Sequence, residues 1–408
     1  MKSPKSLRLH IGLFGRRNVG KSSLLNALTR QEVSIVSDIA GTTTDPVEKP
    51  MELLPLGPVL FIDTAGIDDA GALGEQRVRR TMAVIDRTDL GILVSAGTEW
   101  GDFEEKILAE FARREIPVIV VLNKSDTQSS VHPGFVSIKG QTPPVVNTSA
   151  VLGTGIDDLR ETILKYAPEG FVNRPSILSD LVGPGEAAVL VVPIDKEAPK
   201  GRLILPQVQS IRDLLDGNSF CVVVKERELR EALSRLNQPP RLVVTDSQAF
   251  LQVAADTPPE IPLTSFSILF ARYQGDLNEL VRGAMTIDRL KPGDQILISE
   301  ACTHRPIDED IGTVKIPAWL TRYVGGKVQF DHVRGHDFPS NITDYKLIIH
   351  CGACMLNRRE MLSRIMKARN AGVPITNYGL TIAWSLGIFE RALRPFPAAL
   401  ELYKSAKQ

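Results

Sequence analysis

The chain is poor in cysteine, in aromatic residues and in any excess of charge of one sign. It has four cysteines in 408 residues, and only 6% of its residues are aromatic. A disulfide framework, as in small secreted domains, needs more cysteines in a shorter chain. Lys and Arg together number 48, as do Asp and Glu, so the basic excess of a typical nucleic-acid-binding protein is missing. The composition therefore predicts no nucleic-acid partner.

Long apolar runs are absent as well. No stretch approaches the roughly 18 uncharged apolar residues of a membrane span, and the opening "MKSPKSLRLHIGLFG" contains no apolar signal core. We therefore expect a soluble, cytoplasmic protein with no membrane partner. The hydrophobic content of 43% is enough for ordinary cores in two or three domains.

The alternation of apolar and amphipathic stretches predicts the α/β fold class. Near the N-terminus, "LRLHIGLFG", "VLFIDTAG", "DLGILVSAG" and "IPVIVVLNKSD" are typical of buried parallel strands with helices between them. This pattern predicts a domain with a doubly wound parallel sheet at residues 1–168, followed by two smaller α/β domains at residues 169–270 and 271–408. Residues 166–178, "YAPEGFVNRPSIL", are expected to form a linker.

The two later regions show the same alternation. "EAAVLVVPID", "FCVVVKE" and "RLVVTDS" predict strands in the middle region, which has no nucleotide or metal motif and is expected to be a structural or dimerising module. Cys221 lies in the second of these strands and is expected to be a small buried hydrophobe. In the last region "DQILISEAC", "DYKLIIHC" and "VPITNYG" predict strands, and "LNRREMLSRIMKARNAG" predicts a helix that stops at glycine.

The stretch "GRRNVGKSS" predicts a phosphate-binding loop. It fits G-x-x-x-x-G-K-S between a predicted strand and a predicted helix. Its backbone N–H groups and the helix N-terminus would cradle phosphate oxygens. Lys21 would reach the β- and γ-phosphates, and Ser22 would offer its hydroxyl to Mg²⁺. The predicted nucleotide-binding residues of the loop are Gly15, Arg16, Arg17, Asn18, Val19, Gly20, Lys21, Ser22 and Ser23.

Three further motifs follow in order and predict that the nucleotide is GTP. In "FIDTAG", Asp63 would hold Mg²⁺ through water, and the Gly66 amide would meet the γ-phosphate. In "NKSD", the Asp126 carboxylate would accept hydrogen bonds from guanine N1–H and N2–H₂, a donor pair that adenine lacks. In "NTSA", backbone groups would contact guanine O6. The predicted base-binding residues are Asn123, Lys124, Asp126, Ser149 and Ala150.

This region, about 40% of the chain, resembles the translation-factor-related GTPases that include tRNA-modification and ribosome-assembly members. The stretch "DIAGTTTDP" is similar to their effector loop, which implies that Thr43 senses Mg²⁺, with Thr42 and Thr44 as alternatives. Ile67 occupies the position of the water-orienting glutamine of Ras-like proteins. Glu75 is a candidate for that role, although a solvated charge on a helix face is an equally good interpretation. The predicted catalytic residues are thus Lys21, Thr43 and Glu75.

Asn18 adds an expectation about the monovalent ion. Its position in the loop resembles that of the potassium-coordinating asparagine of the tRNA-modification members. The resemblance implies a K⁺ ion bound beside the phosphates and hydrolysis that K⁺ stimulates.

Three of the four cysteines lie between residues 302 and 354, in about an eighth of the chain. "ACTHRP" contains Cys302 and His304. After 45 intervening residues, "HCGAC" contains His350, Cys351 and Cys354. Each half of this C-x-H…H-C-x-x-C pattern follows a predicted strand. If the two strands are parallel, the thiols and imidazoles meet at one carboxyl edge of a sheet, where ligand sites gather. Two histidines between the halves, His332 and His336, are expected to be solvated loop residues.

The residues leave several interpretations of this pattern open. A dithiol redox pair would use Cys351 and Cys354 and would not need Cys302. Zinc bound by three cysteines and one histidine is chemically sound, although C-x-H is a poor match for a zinc ribbon. An iron–sulfur cluster suits soft thiolates and tolerates a ligand other than cysteine. With three sulfurs, one iron of a 4Fe–4S cluster would take His304, His350, water, a carboxylate or another exchangeable ligand.

Over its whole length the chain resembles the FeFe-hydrogenase maturation GTPase family. The resemblance joins the GTPase motifs to "APKGRLILPQVQSIRDLLD", "VVTDSQAF", "SFSILFAR" and the C-x-H…H-C-G-A-C ending. It implies a homodimer with a GTPase domain, a dimerisation domain and a 4Fe–4S domain ligated by Cys302, Cys351 and Cys354. It further implies a scaffold for the two-iron precursor of the hydrogenase active site, with two radical-S-adenosylmethionine maturases and apo-hydrogenase as partners. The alternative is an RNA-associated GTPase with a structural zinc domain.

Overall fold

The computed structural model describes most of the chain in two compact units. The described residues are 4–29, 46–64, 80–96, 100–127, 142–172, 175–194, 201, 203–301, 310–339 and 341–407. The units are Met1–Arg174 and Pro175–Gln408. Residues 166–178, the expected linker, include the short helix Glu169–Val172 and the boundary between the units. No helix in these ranges combines the length and the apolar character needed to cross a bilayer.

The first unit is built on one six-stranded sheet. Its strands are β1 (Leu9–Phe14), β2 (Val47–Leu53), β3 (Gly57–Asp63), β4 (Leu90–Ala96), β5 (Val118–Asn123) and β6 (Val145–Asn147). Their order across the sheet is β2-β3-β1-β4-β5-β6. All neighbouring pairs are parallel except β2 with β3. The parallel strands predicted from the sequence are therefore confirmed, and β2 is an antiparallel edge strand that the sequence analysis missed.

Both faces of this sheet are covered, because its central strands β1, β4 and β5 are buried at every position. On β1, Ile11 and Leu13 point into a core that includes Leu24 and Leu28 from the helix after the phosphate-binding loop. Phe14 points into the opposite core and meets Phe111 edge-on, with ring centroids 5.1 Å apart. Each such fully buried side chain contributes about 1.5 to 3 kcal/mol. The sheet therefore holds its loops at one rigid carboxyl edge.

The second unit contains two four-stranded sheets, and all neighbouring strands in both are parallel. The first sheet has the order β10-β9-β7-β8, and the second has the order β12-β11-β13-β14. Their strands are β7 (Ala187–Val191), β8 (Phe220–Val224), β9 (Leu242–Thr245), β10 (Leu263–Ser265), β11 (Gln295–Glu300), β12 (Gln329–Arg334), β13 (Leu347–His350) and β14 (Ile375–Asn377). The predicted α/β fold class is thereby confirmed for this part of the chain.

The helices follow the predicted amphipathic stretches. In chain order they are α1 (Lys21–Thr29), α2 (Asp102–Arg113), α3 (Ile156–Tyr166), α4 (Glu169–Val172), α5 (Ser179–Val182), α6 (Leu205–Asp216), α7 (Leu229–Arg235), α8 (Phe250–Asp256), α9 (Phe266–Gln274), α10 (Leu277–Ala284), α11 (Ile316–Val324), α12 (Arg358–Asn370), α13 (Tyr378–Ser385), α14 (Phe389–Leu393) and α15 (Pro397–Lys407). Residues 80–86 are also helical. Short 3₁₀ segments lie at Lys5–Leu7, Glu226–Glu228, Ser247–Ala249 and Met285–Arg289, and a π-helical segment lies at Ile311–Lys315.

Strand β8 corrects the expectation for Cys221. The strand pairs with β7 only, and no described strand lies on its other side. Cys221 is half-buried there, while its neighbours Phe220 and Val223 are 51% and 44% exposed. The apolar run predicts a strand correctly, but it cannot predict that this strand lies at an edge, where unpaired backbone groups invite another chain.

Candidate functional site

The phosphate-binding loop joins β1 to α1, and two of its backbone carbonyl groups accept hydrogen bonds from its lysine. Lys21 Nζ donates to the carbonyls of Gly15 and Arg16, each at 2.8 Å, and the lysine is almost fully buried. Gly15 is required because a Cβ there would lie 2.3 Å from the Val94 carbonyl oxygen. The loop therefore presents a buried ammonium group and the first amides of α1 at the carboxyl edge of the sheet, as phosphate binding demands.

Asn123 connects this loop to the predicted guanine site. Its Nδ2 donates to the Val19 carbonyl at 2.9 Å, and its Oδ1 accepts from Thr148 Oγ1 at 3.1 Å and from the Ala150 amide at 3.2 Å. Gly20 has a φ of +91°, and a Cβ there would lie 2.4 Å from Asn123 Nδ2. The close approach that glycine permits thus holds two of the predicted motifs together.

Asp63 and Ser22 form the candidate magnesium site. Ser22 Oγ donates to Asp63 Oδ2 at 2.8 Å. Asp63 Oδ1 is buried and has no hydrogen-bond partner among the described residues. Burial raises the pKa of this carboxyl, while the Ser22 hydrogen bond and the Lys21 charge oppose the shift. A buried, partly unsatisfied carboxylate oxygen beside a hydroxyl fits a hard divalent cation.

The predicted base-binding groups lie at the ends of β5 and β6. Ser149 Oγ donates to Asp126 Oδ1 at 2.6 Å and orients the carboxylate. The Ser149 amide donates to the Thr154 carbonyl, and the Ala150 amide donates to Asn123. Both amides are thus engaged within the protein, and their contact with guanine O6 stays a prediction. Lys124 has a φ of 62° and marks the sharp turn after β5.

Arg16 has a partner that sequence reasoning missed. Its Nε and Nη2 donate to the two carboxylate oxygens of Glu104, each at 2.8 Å, and Glu104 is fully buried. Glu104 also accepts from the Gly101 amide at 3.0 Å and so caps α2. Because the guanidinium group is held against α2, Arg16 contributes its backbone to the loop. Arg17 and Asn18 are exposed, and Asn18 has a φ of 61°.

Several predicted residues lie outside the described part of the chain. They are Thr42, Thr43, Thr44, Gly66, Ile67, Glu75, Cys302 and His304. Their roles stay predictions.

The second predicted site is at the carboxyl edge of β11 and β13. These strands are parallel neighbours, with Ser299 opposite His350. The Cys351 amide donates to the Ser299 carbonyl at 2.9 Å, and the Ala301 amide donates to Cys351 Sγ at 3.1 Å. The predicted parallel pairing is confirmed, and it brings Cys351 beside the residue that precedes Cys302.

The turn after β13 presents two thiols. Ala353, between them in sequence, has a φ of 55°, and its carbonyl accepts from the Leu356 amide at 3.1 Å. Burial raises the pKa of the Cys351 thiol, and burial together with Cys351 raises that of Cys354 to about 12. These thiols are therefore neutral near pH 7, and their deprotonation depends on a metal or a cation that takes the place of the protons.

His350 is fully buried, and both of its ring nitrogens have partners. Nδ1 lies 3.0 Å from the Cys351 carbonyl oxygen, and Nε2 lies 2.9 Å from Arg364 Nη1. Since a guanidinium group can only donate, Nε2 accepts and Nδ1 carries the proton. Burial and the Arg364 charge lower the pKa of His350 to about 3. This geometry favours a supporting role for His350 over the predicted role as an iron ligand.

Arg364 organises the layer beneath the turn. The guanidinium group is buried and donates to Ser299 Oγ at 3.1 Å, to the Gly335 carbonyl at 2.6 Å and to Glu360 Oε1 at 2.9 Å. In the sequence it is one of several basic residues of a polar helix, so no local signal identifies it. Its burial comes from tertiary packing, which places the guanidinium group against the ends of β11 and β13.

A buried carboxyl group lies close to the thiols. Glu300, the last residue of β11, accepts from Tyr378 Oη at 3.0 Å and from Arg334 Nε at 3.1 Å. Burial raises the pKa of Tyr378 well above its usual value, and the Cys351 and Glu300 charges add to the shift. In the sequence, the only sign of this buried carboxyl group is the position of Glu300 in "ISEAC", two residues before Cys302.

The two intervening histidines require one correction. His332 lies on β12 and not in a loop, and its Nε2 lies 3.2 Å from the Gly312 carbonyl oxygen. His336 follows β12, and its Nδ1 lies 3.0 Å from both oxygens of Glu360. The sequence of β12, "QFDHVR", is largely polar because its side chains are exposed or only partly buried. It therefore lacks the apolar run from which a strand is predicted.

The described residues fit a thiolate-ligated centre. No three His, Cys, Asp or Glu side chains in the described ranges gather into a metal-binding group, but Cys302 and His304 are outside those ranges. Two thiols in one turn supply soft ligands, and the amide that donates to Cys351 Sγ is typical of the hydrogen bonds around ligated sulfur.

Three family models match the chain. A model described as "50S ribosome-binding GTPase" matches residues 10–124. A model of the "Hydrogen maturase F dimerization domain" matches residues 177–275, and one of the "Hydrogen maturase F tetramerization domain" matches residues 278–395. The last two together span more than half of the chain.

Curated relatives match about two fifths of the chain. A GTPase Der of Wolinella succinogenes is 40% identical over 185 residues, which cover 42% of this chain and 38% of the relative. A tRNA modification GTPase MnmE of Nitrosomonas europaea is 37% identical over 160 residues, which cover 39% of this chain and 35% of the relative. The chain thus spans less than two fifths of either relative.

Among solved structures, Era of Aquifex aeolicus bound to GDP and AlF₄⁻ is 23% identical. The match covers 60% of this chain and 97% of that chain, with a TM-score of 0.33.

The sheet order, the loop around Lys21 and the family model at residues 10–124 define the first unit as a P-loop GTPase domain. The two models that follow it in sequence are specific to one family. The chain belongs to the hydrogen maturase F family. The predicted resemblance to the hydrogenase maturation GTPases is therefore confirmed, and the models at residues 177–275 and 278–395 favour it over the alternative with a structural zinc domain.

Substitution of Glu104 tests whether the Arg16–Glu104 pair shapes the phosphate-binding loop. Glu104→Gln removes the buried charge but keeps an oxygen that can cap α2. We expect the dissociation constant for GTP to rise about three- to tenfold, because hydrogen bonds to charged groups are worth about 1.5 to 3 kcal/mol and only part of this aligns the loop. Calorimetric titration with GTP measures the change.

Glu110→Gln is the matched control. Glu110 lies on the same helix and pairs with Arg113 at the surface, where an ion pair contributes little. Its GTP affinity should equal that of the unaltered protein. An unchanged affinity in Glu104→Gln would show that the pair does not support the loop.

Proposed function

We propose that the protein hydrolyses GTP and carries a 4Fe–4S cluster, on which the two-iron precursor of the FeFe-hydrogenase active site is assembled and delivered. The observation that carries the second part is the meeting of the β11 and β13 carboxyl ends, where the Ala301 amide donates to Cys351 Sγ. Cys302 follows Ala301 directly, so the C-x-H and H-C-x-x-C halves begin side by side. The hydrogen maturase F family models support the hydrogenase assignment.

In the nucleotide site, the roles follow from the geometry around the loop. Lys21 would release the Gly15 and Arg16 carbonyls and bind β- and γ-phosphate oxygens. Ser22 and Asp63 would hold Mg²⁺, with Thr43 as a further ligand when GTP is bound. Asp126, oriented by Ser149, would select guanine. Gly66 and Glu75 keep their predicted roles at the γ-phosphate and the attacking water.

In the cluster site, Cys302, Cys351 and Cys354 would hold three irons. The cluster supplies an iron with an exchangeable position, to which cargo can attach. His350 is engaged with Arg364 and with its neighbour's carbonyl, so we assign the fourth position to a carboxylate, to water or to His304. The Arg364–His350 pair would hold the turn in place.

The proposed partners are a second copy of the chain, two radical-S-adenosylmethionine maturases and apo-hydrogenase. The dimerization-domain model at residues 177–275 supports self-association. The exposed apolar edge of β8 supports this strand as the contact surface, because a second β8 would satisfy its unpaired backbone groups and cover Phe220 and Val223.

Removal of the three thiols tests the cluster assignment. We expect Cys302→Ala/Cys351→Ala/Cys354→Ala to take up no iron or sulfide under anaerobic reconstitution, because the predicted cluster site then has no thiol ligand. Visible absorption, the EPR signal of the reduced protein and hydrogenase activation should be lost, while GTP turnover stays unchanged. Cys221→Ala is the control and should keep all of these properties. Activation by the triple variant, or stoichiometric zinc without sulfide in the unaltered protein, would contradict the proposal.

The identity of the monovalent ion tests the role proposed for Asn18. Hydrolysis should be several-fold faster in KCl than in NaCl at equal ionic strength, because a K⁺ held by the exposed Asn18 side chain would add positive charge beside the phosphates in the transition state. Phosphate release measured in the two salts decides the point. Equal rates would refute the assignment.

If two copies of the chain associate through β8, a charged residue introduced on this strand should weaken the dimer. Phe220→Asp places a carboxylate in the proposed interface in both copies, and we expect the dimer dissociation constant to rise at least about tenfold. Leu251→Asp is the control, because Leu251 is similarly exposed, at 55%, but lies on α8. Light scattering over a concentration series measures both. Equal effects of the two variants would rule out β8 as the contact.

A further inference from the structure

We infer that the hydroxyl group of Ser267, a residue of the segment matched by the dimerization-domain model, donates a hydrogen bond to a sulfur atom of the cluster bound after β11 and β13. The inference rests on the proposed function and adds a residue that determines the reduction potential of the cluster. Ser267 lies on the first turn of α9, in a different sheet layer from the cysteines.

Ser267 contacts the carboxyl edge of the sheet that carries the cysteines. Asn377, at the end of β14, donates from Nδ2 to the Ser267 carbonyl at 2.8 Å and to Ser267 Oγ at 3.2 Å. The Gly379 amide donates to the same Oγ at 3.1 Å. A Cβ at Gly379 would lie 2.7 Å from Ser267 Cβ, so only glycine permits this approach.

These contacts leave one hydrogen-bonding direction of the hydroxyl unused. A serine oxygen accepts two hydrogen bonds and donates one. Asn377 and Gly379 occupy both acceptor positions. None of the described residues accepts a hydrogen bond from the Ser267 O–H group. The proton therefore points away from the two donors, toward water or toward a group outside the described residues.

The turn with the two thiols lies near the Ser267 hydroxyl group. A Cβ built on Gly352, the residue after Cys351, would lie 4.0 Å from Ser267 Oγ. That oxygen is the only atom of a described residue, apart from the chain neighbours of Gly352, within this distance. Gly352 thus leaves room beside Cys351 and Cys354, and the Ser267 hydroxyl borders that room.

Thiolate and sulfide sulfurs of a cluster carry negative charge and accept hydrogen bonds. Such bonds stabilise the more negative, reduced cluster and raise its reduction potential. The Ala301 amide already donates to Cys351 Sγ from the β11 side. Ser267 would add a donor from the opposite, dimerization-domain side, so that this segment takes part in the cluster site.

The test compares Ser267→Ala with Ser267→Thr on full-length reconstituted protein. In Ser267→Ala the ratio of reduced to oxidised cluster at a fixed potential should fall about three- to tenfold, where tenfold corresponds to a shift of 59 mV for one electron. Ser267→Thr keeps the hydroxyl and should keep the potential. EPR-monitored redox titration measures the ratio, and pulsed EPR in H₂O and D₂O should show the loss of one exchangeable proton in the alanine variant.

Two further variants control for structural effects. Ser385→Ala removes a hydroxyl of α13 that donates within its own helix and should leave the potential unchanged. Ser267→Val has the shape of the threonine variant but no hydroxyl group, so it should shift the potential in the same direction as the alanine variant and replaces that variant if it fails to fold.

The outcomes separate this inference from the proposed function. If the unaltered protein takes up no iron and sulfide, both are overturned. If it carries the cluster and the Ser267 variants keep its potential and its exchangeable protons, the inference alone is overturned and the proposed function stands.

Discussion

The parallel pairing of β11 with β13 is the constraint on which the cluster site depends. Ala301 and Cys351 are 50 positions apart in the chain, yet the amide of one donates to the sulfur of the other. Parallel strands end at the same edge of a sheet, so the residues that follow them meet without any local sequence relationship. The strands are buried at every position after Gln295 of β11, and their packing therefore fixes the position of the turn that carries the cysteines.

The same rule places the nucleotide site in the other unit. The loops after β1, β3 and β5 meet at one carboxyl edge, where Lys21, Asp63 and Asn123 lie. In both sites an arginine that is paired with a buried carboxylate lies beside the functional residues. Arg16 is fixed by Glu104, and Arg364 is fixed by Glu360. The two arginines set the positions of neighbouring backbone and histidine atoms.

The parts that could be predicted from the sequence are those with a local cause. An apolar run such as that of β4 predicts a buried strand wherever it lies, and the spacing of Gly15, Gly20 and Lys21 predicts a phosphate loop because its residues act together. The Arg16–Glu104 contact joins residues 88 positions apart. Nothing in the sequence around either residue distinguishes it from a charged residue at the protein surface, so the contact could not be predicted.

Burial set by tertiary packing explains the remaining differences. Arg364 becomes a buried donor because of tertiary packing, and the same packing places its guanidinium group against Nε2 of His350. β12 was not predicted, because the side chains of this exposed edge strand do not have to alternate between apolar and polar. The Cys221 strand was predicted correctly, but its edge position depends on strand order, which the apolar pattern does not encode.

Within the second unit, arginines join the two family-model segments. Arg391 donates to the carbonyls of Ala254 and Thr257 at the end of α8, and Arg358 donates to those of Tyr273 and Gly275 at the end of α9.

Carbonyls at a helix C-terminus lack partners in their own helix, and a cation there is favourable. Removal of either guanidinium group, with the segments still packed, would leave these part-buried carbonyls without their partners, at a cost of about 1 to 3 kcal/mol each. The β8 edge and the cysteine turn are therefore parts of one body. If two copies associate through β8, the distance between their cysteine turns is set by the rigid packing within each copy.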